Sequence, residues 1–114
     1  MRLSRVITLK TEREFAQFKQ TRAFHSNLFR LRFTSRLNQN TPRFGFIVPK
    51  KTVNKVVDRN LIKRRLKGIL AKNIEHLRIA DVLIFPNKQA IKIPFAELED
   101  QVIILFKKAG LWKQ

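Results

Sequence analysis

The pattern of apolar and polar residues along this chain predicts three short strands. From Ser26 to Phe33 the chain alternates between apolar and basic residues, which is typical of a strand with two different faces. Short apolar runs at 44–48 and 81–85 predict two further strands. The polar residues 34–42 predict a loop between antiparallel strands, and residues 87–93 predict a loop or a hairpin.

Three helices are predicted from a capping signal and from apolar spacing. Thr11-Glu12-Arg13-Glu14 is a capping box, which predicts a helix to about residue 20. A second helix runs from near Asn54 past Leu70, and a third begins at Pro94. The third helix has apolar residues spaced three and four apart, at Phe95, Leu98, Val102, Leu105 and Phe106. With an extended basic arm over residues 1–10, this order predicts one α+β domain over 1–114, a sandwich in which helices cover a small sheet.

The second helix carries an excess of positive charge. Residues 50–67 contain eight Lys and Arg against one acid, Asp58. At about 100° per residue, one side of the helix collects the apolar residues Ile62, Leu66, Ile69 and Leu70. The neighbouring side collects five residues that we call the basic strip: Arg59, Asn60, Lys63, Arg64 and Lys67. Its cations recur with a rise of about 5–6 Å, comparable to the spacing of phosphates, so one edge can pack while the next binds phosphates.

The composition narrows the class of partner. The 114 residues include 25 Lys and Arg against 8 Asp and Glu, a formal net charge of +17. This self-repulsion destabilises the compact chain on its own, and a polyanionic partner offsets it. The ten Phe argue against disorder, and no apolar run approaches the roughly 18 residues that cross a bilayer. We therefore expect RNA as the partner, a cytoplasmic location, no membrane and no small-molecule substrate.

Two of these features have plainer interpretations. The basic strip could be a solvated face, but a solubility face mixes acids with bases at helical spacing, and this one does not. Phe15 and Phe18 on the first helix either pack in the core or stack on unpaired bases.

Other basic and titratable residues are also open to two interpretations. Arg30 and Arg32 line a positively charged groove if their sheet face is open, and must pair or reach the rim if it is covered. Lys50 and Lys51 form either an ordinary exposed turn or an extension of the basic surface at a strand end. His25 and His76 lack the spacing of metal ligands.

The sequence predicts no catalytic groups in this chain. It shows no nucleophile–base pair, no Gly-rich phosphate loop and no cluster of the carboxylates that a metal-dependent nuclease needs. We expect neither a metal nor a cofactor bound by the protein alone.

The motif around the second helix resembles the protein subunit of bacterial ribonuclease P. Members of that family have a strand ending in Val-Ser-Lys-Lys and then a helix with Arg-Asn-Arg-x-x-Lys-Arg-x-x-Arg. The matching segments here are Val48-Pro49-Lys50-Lys51 and Arg59-Asn60-Leu61-Ile62-Lys63-Arg64-Arg65-Leu66-Lys67. Pro49, Leu61 and Lys67 depart from the motif, and the aromatics of the first helix are three apart where the family more often has four. The likeness extends over nearly the whole chain.

The resemblance implies a fold, two RNA surfaces and a function. The fold is α-β-β-β-α-β-α with a mixed sheet and a left-handed βαβ crossover, like the second domain of ribosomal protein S5. The basic strip would face the catalytic RNA subunit, which would hold the Mg²⁺ ions. A cleft between the first helix and the sheet would bind the single-stranded 5′ leader of precursor tRNA. Its candidate residues are Phe15, Phe18, Phe33, Arg32, Lys50 and Lys51.

The resulting hypothesis is an accessory subunit of an endonuclease that removes the 5′ leader of precursor tRNA. The main alternative is a structural RNA-binding protein of ribosomal type, which shares the charge and size but has no role in cleavage. A basic protein that binds membranes or DNA without specificity, and a nuclease that acts without RNA, are further alternatives.

Overall fold

The computed structural model describes residues 7–8, 23–34 and 40–113. Within these ranges the strands are β1 (Ile7–Thr8), β2 (Ala23–His25), β3 (Phe29–Thr34), β4 (Arg43–Phe46) and β5 (Asp81–Pro86). The helices are α1 (Val56–Lys72), α2 (Gln89–Lys92) and α3 (Phe95–Lys108), with a 3-10 turn at Ile74–His76. The α+β class, the three predicted strands and the two later helices are therefore confirmed. The predicted first helix lies outside the described residues.

The strands form one mixed sheet in the order β1-β4-β5-β3-β2. β5 pairs antiparallel with β3 and parallel with β4, so β4, α1 and β5 make a parallel crossover unit. Residues 34–42 are predicted as a loop between antiparallel strands, and β3 and β4 do run in opposite directions, although they are not neighbours because β5 lies between them. β5 is apolar and almost entirely buried, and such a strand takes a central place where both of its edges are paired. The left-handed sense of the crossover and the likeness to ribosomal protein S5 stay predictions.

Two segments of the chain contain elements that the apolar pattern did not predict. Residues 7 and 8 belong to the predicted extended arm, and they pair parallel with β4 at the edge of the sheet. Between β5 and α3, the loop or hairpin predicted for 87–93 is wrong, because this segment contains α2. The Oδ1 atom of Asn87 accepts a hydrogen bond from the backbone N–H of Gln89 at 3.0 Å, and Ala90 is fully buried. Four residues are too few to show a helical period, so these local contacts decide the conformation.

The main core lies between one face of the sheet and the apolar sides of α1 and α3. The sheet contributes Phe29, Leu31, Phe44, Val82 and Ile84, and the helices contribute Ile62, Leu66, Ile69, Leu70, Leu98, Val102, Leu105 and Phe106. The predicted apolar sides of both helices are therefore confirmed, except at Phe95, whose side chain is 43% exposed. Phe95 is the first residue of α3, and the buried residues of that helix begin one turn later at Leu98.

The end of α1 is fixed to α3 by a carboxylate. The Oε1 atom of Glu99 accepts from Lys72 Nζ at 3.1 Å, and Oε2 accepts from Asn73 Nδ2 at 3.0 Å. Burial raises the pKa of Glu99, but the hydrogen bonds from Asn73 and Lys72 and the charge of Lys72 outweigh it, so that the pKa lies below its ordinary value. This contact holds α1 in one orientation on the core, and with it the basic strip.

Candidate nucleic-acid interface

α1 presents the basic strip to solvent while the neighbouring apolar side is buried. Asn60, Lys63 and Arg64 are exposed, and Arg59 and Lys67 are half-buried. The predicted helix and the predicted placement of the five side chains are both observed. Binding of RNA by the basic strip stays a prediction.

The cations of the basic strip have no carboxylate partners in the described part of the chain. The ion pairs found there join Arg43 to Asp81 and Lys72 to Glu99, and neither includes a residue of the strip. Most side-chain hydrogen-bonding capacity of Lys63 and Arg64 therefore faces water. A row of like charges held on a fixed helix produces a positive potential that attracts a polyanion.

Arg59 differs from the rest of the strip because it also binds its own protein. Its Nη1 atom donates to the backbone carbonyls of Val53 at 2.8 Å and Asn54 at 3.1 Å. The guanidinium therefore fixes the segment that leads into α1, where Lys55 at the N-cap position provides no side-chain cap. Its remaining N–H groups can donate to a phosphate, so Arg59 combines a structural contact with a possible binding contact.

Lys50 and Lys51 lie in an ordered turn between β4 and α1. The backbone N–H groups of Thr52 and Val53 both donate to the carbonyl of Pro49 at 3.0 Å. Both lysines are exposed at the carboxyl end of β4, as the sequence predicts. The turn extends the positive surface of the strip toward the end of the sheet.

The sheet face that points away from the main core carries Arg30, Arg32, Leu83 and Phe85, and we call it the arginine face. The register places Arg30 beside Phe85 and Arg32 beside Leu83. The guanidinium of Arg30 lies over the Phe85 ring, 4.4 Å from the ring centroid. Leu83 is buried and Arg30 is exposed, so this face is closed at its centre and open toward the carboxyl end of β5.

A cavity of about 360 Å³ lies at the open end of the arginine face. Its lining includes His25, Arg30, Pro49, Phe85 and Asn87. A cationic plane stacked on an aromatic ring beside a cavity is an arrangement that can stack an unpaired base. Alternation along β3 identifies Arg30 from the sequence, but the contact with Phe85 requires the non-local pairing with β5.

The predicted cleft residues do not all lie on one surface. Phe33 pairs with Val82 on the face that the helices cover, and it stacks on Phe24 with ring centroids 5.9 Å apart. Arg32, one residue earlier, points to the arginine face and is half-buried. Phe33 and Arg32 therefore cannot line one side of the sheet together. Phe15 and Phe18 lie outside the described residues.

Two further cations extend the surface and were missed from the sequence. Lys88 precedes α2 and Lys92 is its last residue, and both line a cavity together with Lys51 and Asp58. The sequence pattern does not show that Lys88 and Lys92 lie near Lys51. The three lysines meet because β4 and β5 pair side by side and end at the same edge of the sheet.

The same ranges lack two further kinds of feature. Residues 7–8, 23–34 and 40–113 include no group of three His, Cys, Asp or Glu side chains placed to bind a metal ion. None of the helices described above combines the length and the apolar character that crossing a membrane requires.

Two solved structures with a similar fold belong to one class of protein. The chain superposes on the RNase P protein of Staphylococcus aureus with a TM-score of 0.85, at 18% identity, over 95% of this chain and 99% of that one. It superposes on the RNase P protein of Thermotoga maritima with a TM-score of 0.79, at 21% identity, over 89% and 96% of the two chains. The architecture is thus that of RNase P proteins.

Sequence comparison gives the family directly. The family model for ribonuclease P matches residues 3–110, and the chain belongs to that family. The ribonuclease P protein component of Thermus aquaticus is 35% identical over 107 residues, which are 94% of this chain and 62% of the relative. The corresponding protein of Clostridium kluyveri is 33% identical over 112 residues, covering 95% and 98%. The chain therefore spans about 62% of the length of the Thermus relatives that it matches.

Proposed function

We propose that this chain is the protein component of a cytoplasmic ribonuclease P ribonucleoprotein and assists removal of the 5′ leader from precursor tRNA. In this proposal the catalytic RNA subunit holds the Mg²⁺ ions and supplies the reacting groups. The observation that carries the proposal is the basic strip, whose cations are exposed or half-buried and lack carboxylate partners in the described ranges. Relatives named as ribonuclease P protein components support it.

The basic strip acts by neutralising phosphates of the catalytic RNA. Each phosphate that pairs with Lys or Arg releases a condensed counterion, so binding is favoured by entropy and weakens steeply as salt rises. α1 is already fixed against the sheet through Leu66 and Ile69, so little conformational freedom is lost when RNA binds. The exposed amide of Asn60 offers both a donor and an acceptor, which suit a base edge or a 2′-hydroxyl.

Cleavage by the reconstituted particle tests the proposal. We expect the protein to raise the rate at which the catalytic RNA of the same organism cleaves precursor tRNA when Mg²⁺ is low. The gain should fall as monovalent salt increases, because phosphate contacts are screened. Polylysine of matched charge is the control for unspecific screening. Binding of the RNA without any gain over polylysine would support the structural RNA-binding alternative.

We further propose that the open end of the arginine face contacts the 5′ leader. Arg30 and Phe85 supply a stacking surface, and Lys50 and Lys51 lie at the neighbouring strand end and can bind the leader phosphates. Arg32, Phe15, Phe18 and Phe33 stay candidates for the same cleft, and Phe33 could reach the leader only from the other side of the sheet.

Comparing tRNA with and without a 5′ leader distinguishes the proposed leader contact from the contact with the catalytic RNA. Arg30→Ala should weaken binding of precursor tRNA with a leader of several nucleotides by about fivefold or more, since a stacked base contributes roughly 1–3 kcal/mol. Binding of mature tRNA should not change. Arg78→Ala is the matched control, because Arg78 is exposed at the opposite end of β5. Affinities are measured with the assembled particle, and an equal loss for mature tRNA would contradict the leader assignment.

A further inference from the structure

A cavity of about 390 Å³ lies between the turn before α1 and the short helix α2. Its volume is within the roughly 300–1,000 Å³ range of small-ligand pockets. Three lysines line it, together with one carboxylate and two aliphatic side chains: Lys51, Lys88, Lys92, Asp58, Val53 and Ile91. The cavity therefore combines cations, a hydrogen-bond acceptor and an apolar wall in one place.

The walls of the cavity are fixed by hydrogen bonds. Arg59 holds the carbonyls of Val53 and Asn54 on one side. On the other side, Asn87 Nδ2 donates to the carbonyl of Asn27 at 2.7 Å, and the backbone N–H of Asn87 donates to the carbonyl of Leu28 at 2.9 Å. α2, which carries Lys92, is thus attached to the body of the protein. A preformed cavity loses less entropy when a ligand binds than a mobile one does.

The charged side chains that line the cavity form no ion pairs with one another among the described residues. Among the described residues, Asp58 forms no ion pair with Lys51 or with any other cation. A single carboxylate surrounded by lysines does not suit a divalent cation, which needs several oxygen ligands. A ligand that fits must offer an anionic group to the lysines and hydrogen-bond donors to Asp58.

We propose that this cavity binds one unstacked guanosine nucleotide of an RNA strand. The phosphate lies among Lys51, Lys88 and Lys92, and the base packs on Ile91 and Val53. The Watson–Crick edge of guanine carries two adjacent donors, N1–H and the N2 amino group, and an ionised carboxylate accepts both. Adenine offers one donor beside an acceptor, so it matches Asp58 less well. The inference rests on the proposed function, since it takes RNA as the partner.

Short single-stranded RNAs test the base preference. The probes are uridine octamers with one central guanosine or one central adenosine, and binding to the full chain is followed by fluorescence anisotropy. We expect the guanosine octamer to bind about tenfold tighter than the adenosine octamer, the order of discrimination that one bidentate base contact gives. Asp58→Asn should remove most of the preference, because the amide places a donor where the carboxylate had its second acceptor and can no longer accept from both guanine donors. A preference for guanosine that survives this substitution would overturn the assignment of Asp58.

The lysines are tested by a pair of charge-matched variants. Lys88→Ala with Lys92→Ala should weaken binding of the guanosine octamer about tenfold near 0.15 M salt and reduce the salt dependence accordingly. Arg78→Ala with Lys113→Ala removes the same charge at the other end of the sheet, where both residues are exposed, and should retain most of the affinity. Thermal unfolding followed by circular dichroism checks that each variant is folded.

Failure of this inference can be told apart from failure of the proposed function. If the wild-type chain stimulates cleavage by the catalytic RNA but binds the guanosine and adenosine octamers equally, the guanosine pocket is wrong and the proposed function stands. Equal losses in the two charge-matched variants would likewise overturn the pocket, since only overall charge would then matter. Absence of stimulation together with a base preference that Asp58→Asn removes would support the pocket and reject the proposed function.

Discussion

The triple variant Lys63→Ala, Arg64→Ala, Lys67→Ala is expected to bind the catalytic RNA about a hundredfold more weakly than the wild type near 0.15 M salt. Each phosphate contact contributes roughly 0.7–0.9 to the slope of log affinity against log salt. Three lost contacts therefore remove about two decades of affinity and flatten the slope by between two and three. The affinity is measured by filter binding at several salt concentrations.

The fold should not change in this variant, because the three side chains lack internal ion pairs in the part of the chain that the structure covers. Arg59 is left intact since its guanidinium also holds the carbonyls of Val53 and Asn54, so that its removal would mix two effects. The control variant replaces three exposed cations elsewhere by alanine: Arg78, Lys107 and Lys113. If the control loses as much affinity as the strip variant, the affinity for RNA depends on the total charge of the protein and not on the position of the strip.

The basic strip could be found from the sequence because it depends on one helix alone. Spacing of three and four residues places Lys63, Arg64 and Lys67 on one side and Leu66 and Ile69 on the other, whatever the rest of the fold is. The same local rule predicts the apolar side of α3. It fails at the exposed Phe95, because periodicity specifies the side of a helix and does not tell how far along the helix that side is covered.

The pairing of strands in the sheet could not be predicted from the sequence. The alternation in β3 identifies Arg30 and Arg32 as one face, but the partner strand of β3 is β5, about fifty residues later in the chain. Pairing between strands so far apart depends on how the whole chain packs, and no local pattern encodes it. The stack of Arg30 on Phe85 and the lysine-lined cavity both follow from that pairing, so both were missed.

A buried ion pair joins the two parallel strands at the start of the crossover. Asp81 is fully buried, and its Oδ1 and Oδ2 atoms accept from Arg43 Nε at 2.9 Å and from Nη2 at 2.7 Å. The two residues are register partners in β4 and β5, on the face opposite the main core. The bidentate contact therefore holds the pair of strands that α1 connects.

Arg43→Met is expected to lower the free energy of unfolding by about 3–5 kcal/mol, because it takes two charged donors from a carboxylate that water does not reach. That is a large fraction of the roughly 5–15 kcal/mol that stabilises an ordinary domain. The double variant Arg43→Met with Asp81→Leu should recover much of the loss, since an apolar pair of similar volume avoids the desolvated charge. Urea unfolding of the wild type, both single variants and the double variant gives the coupling energy. A loss below about 1 kcal/mol for Arg43→Met would mean that the ion pair contributes no more than an exposed one does.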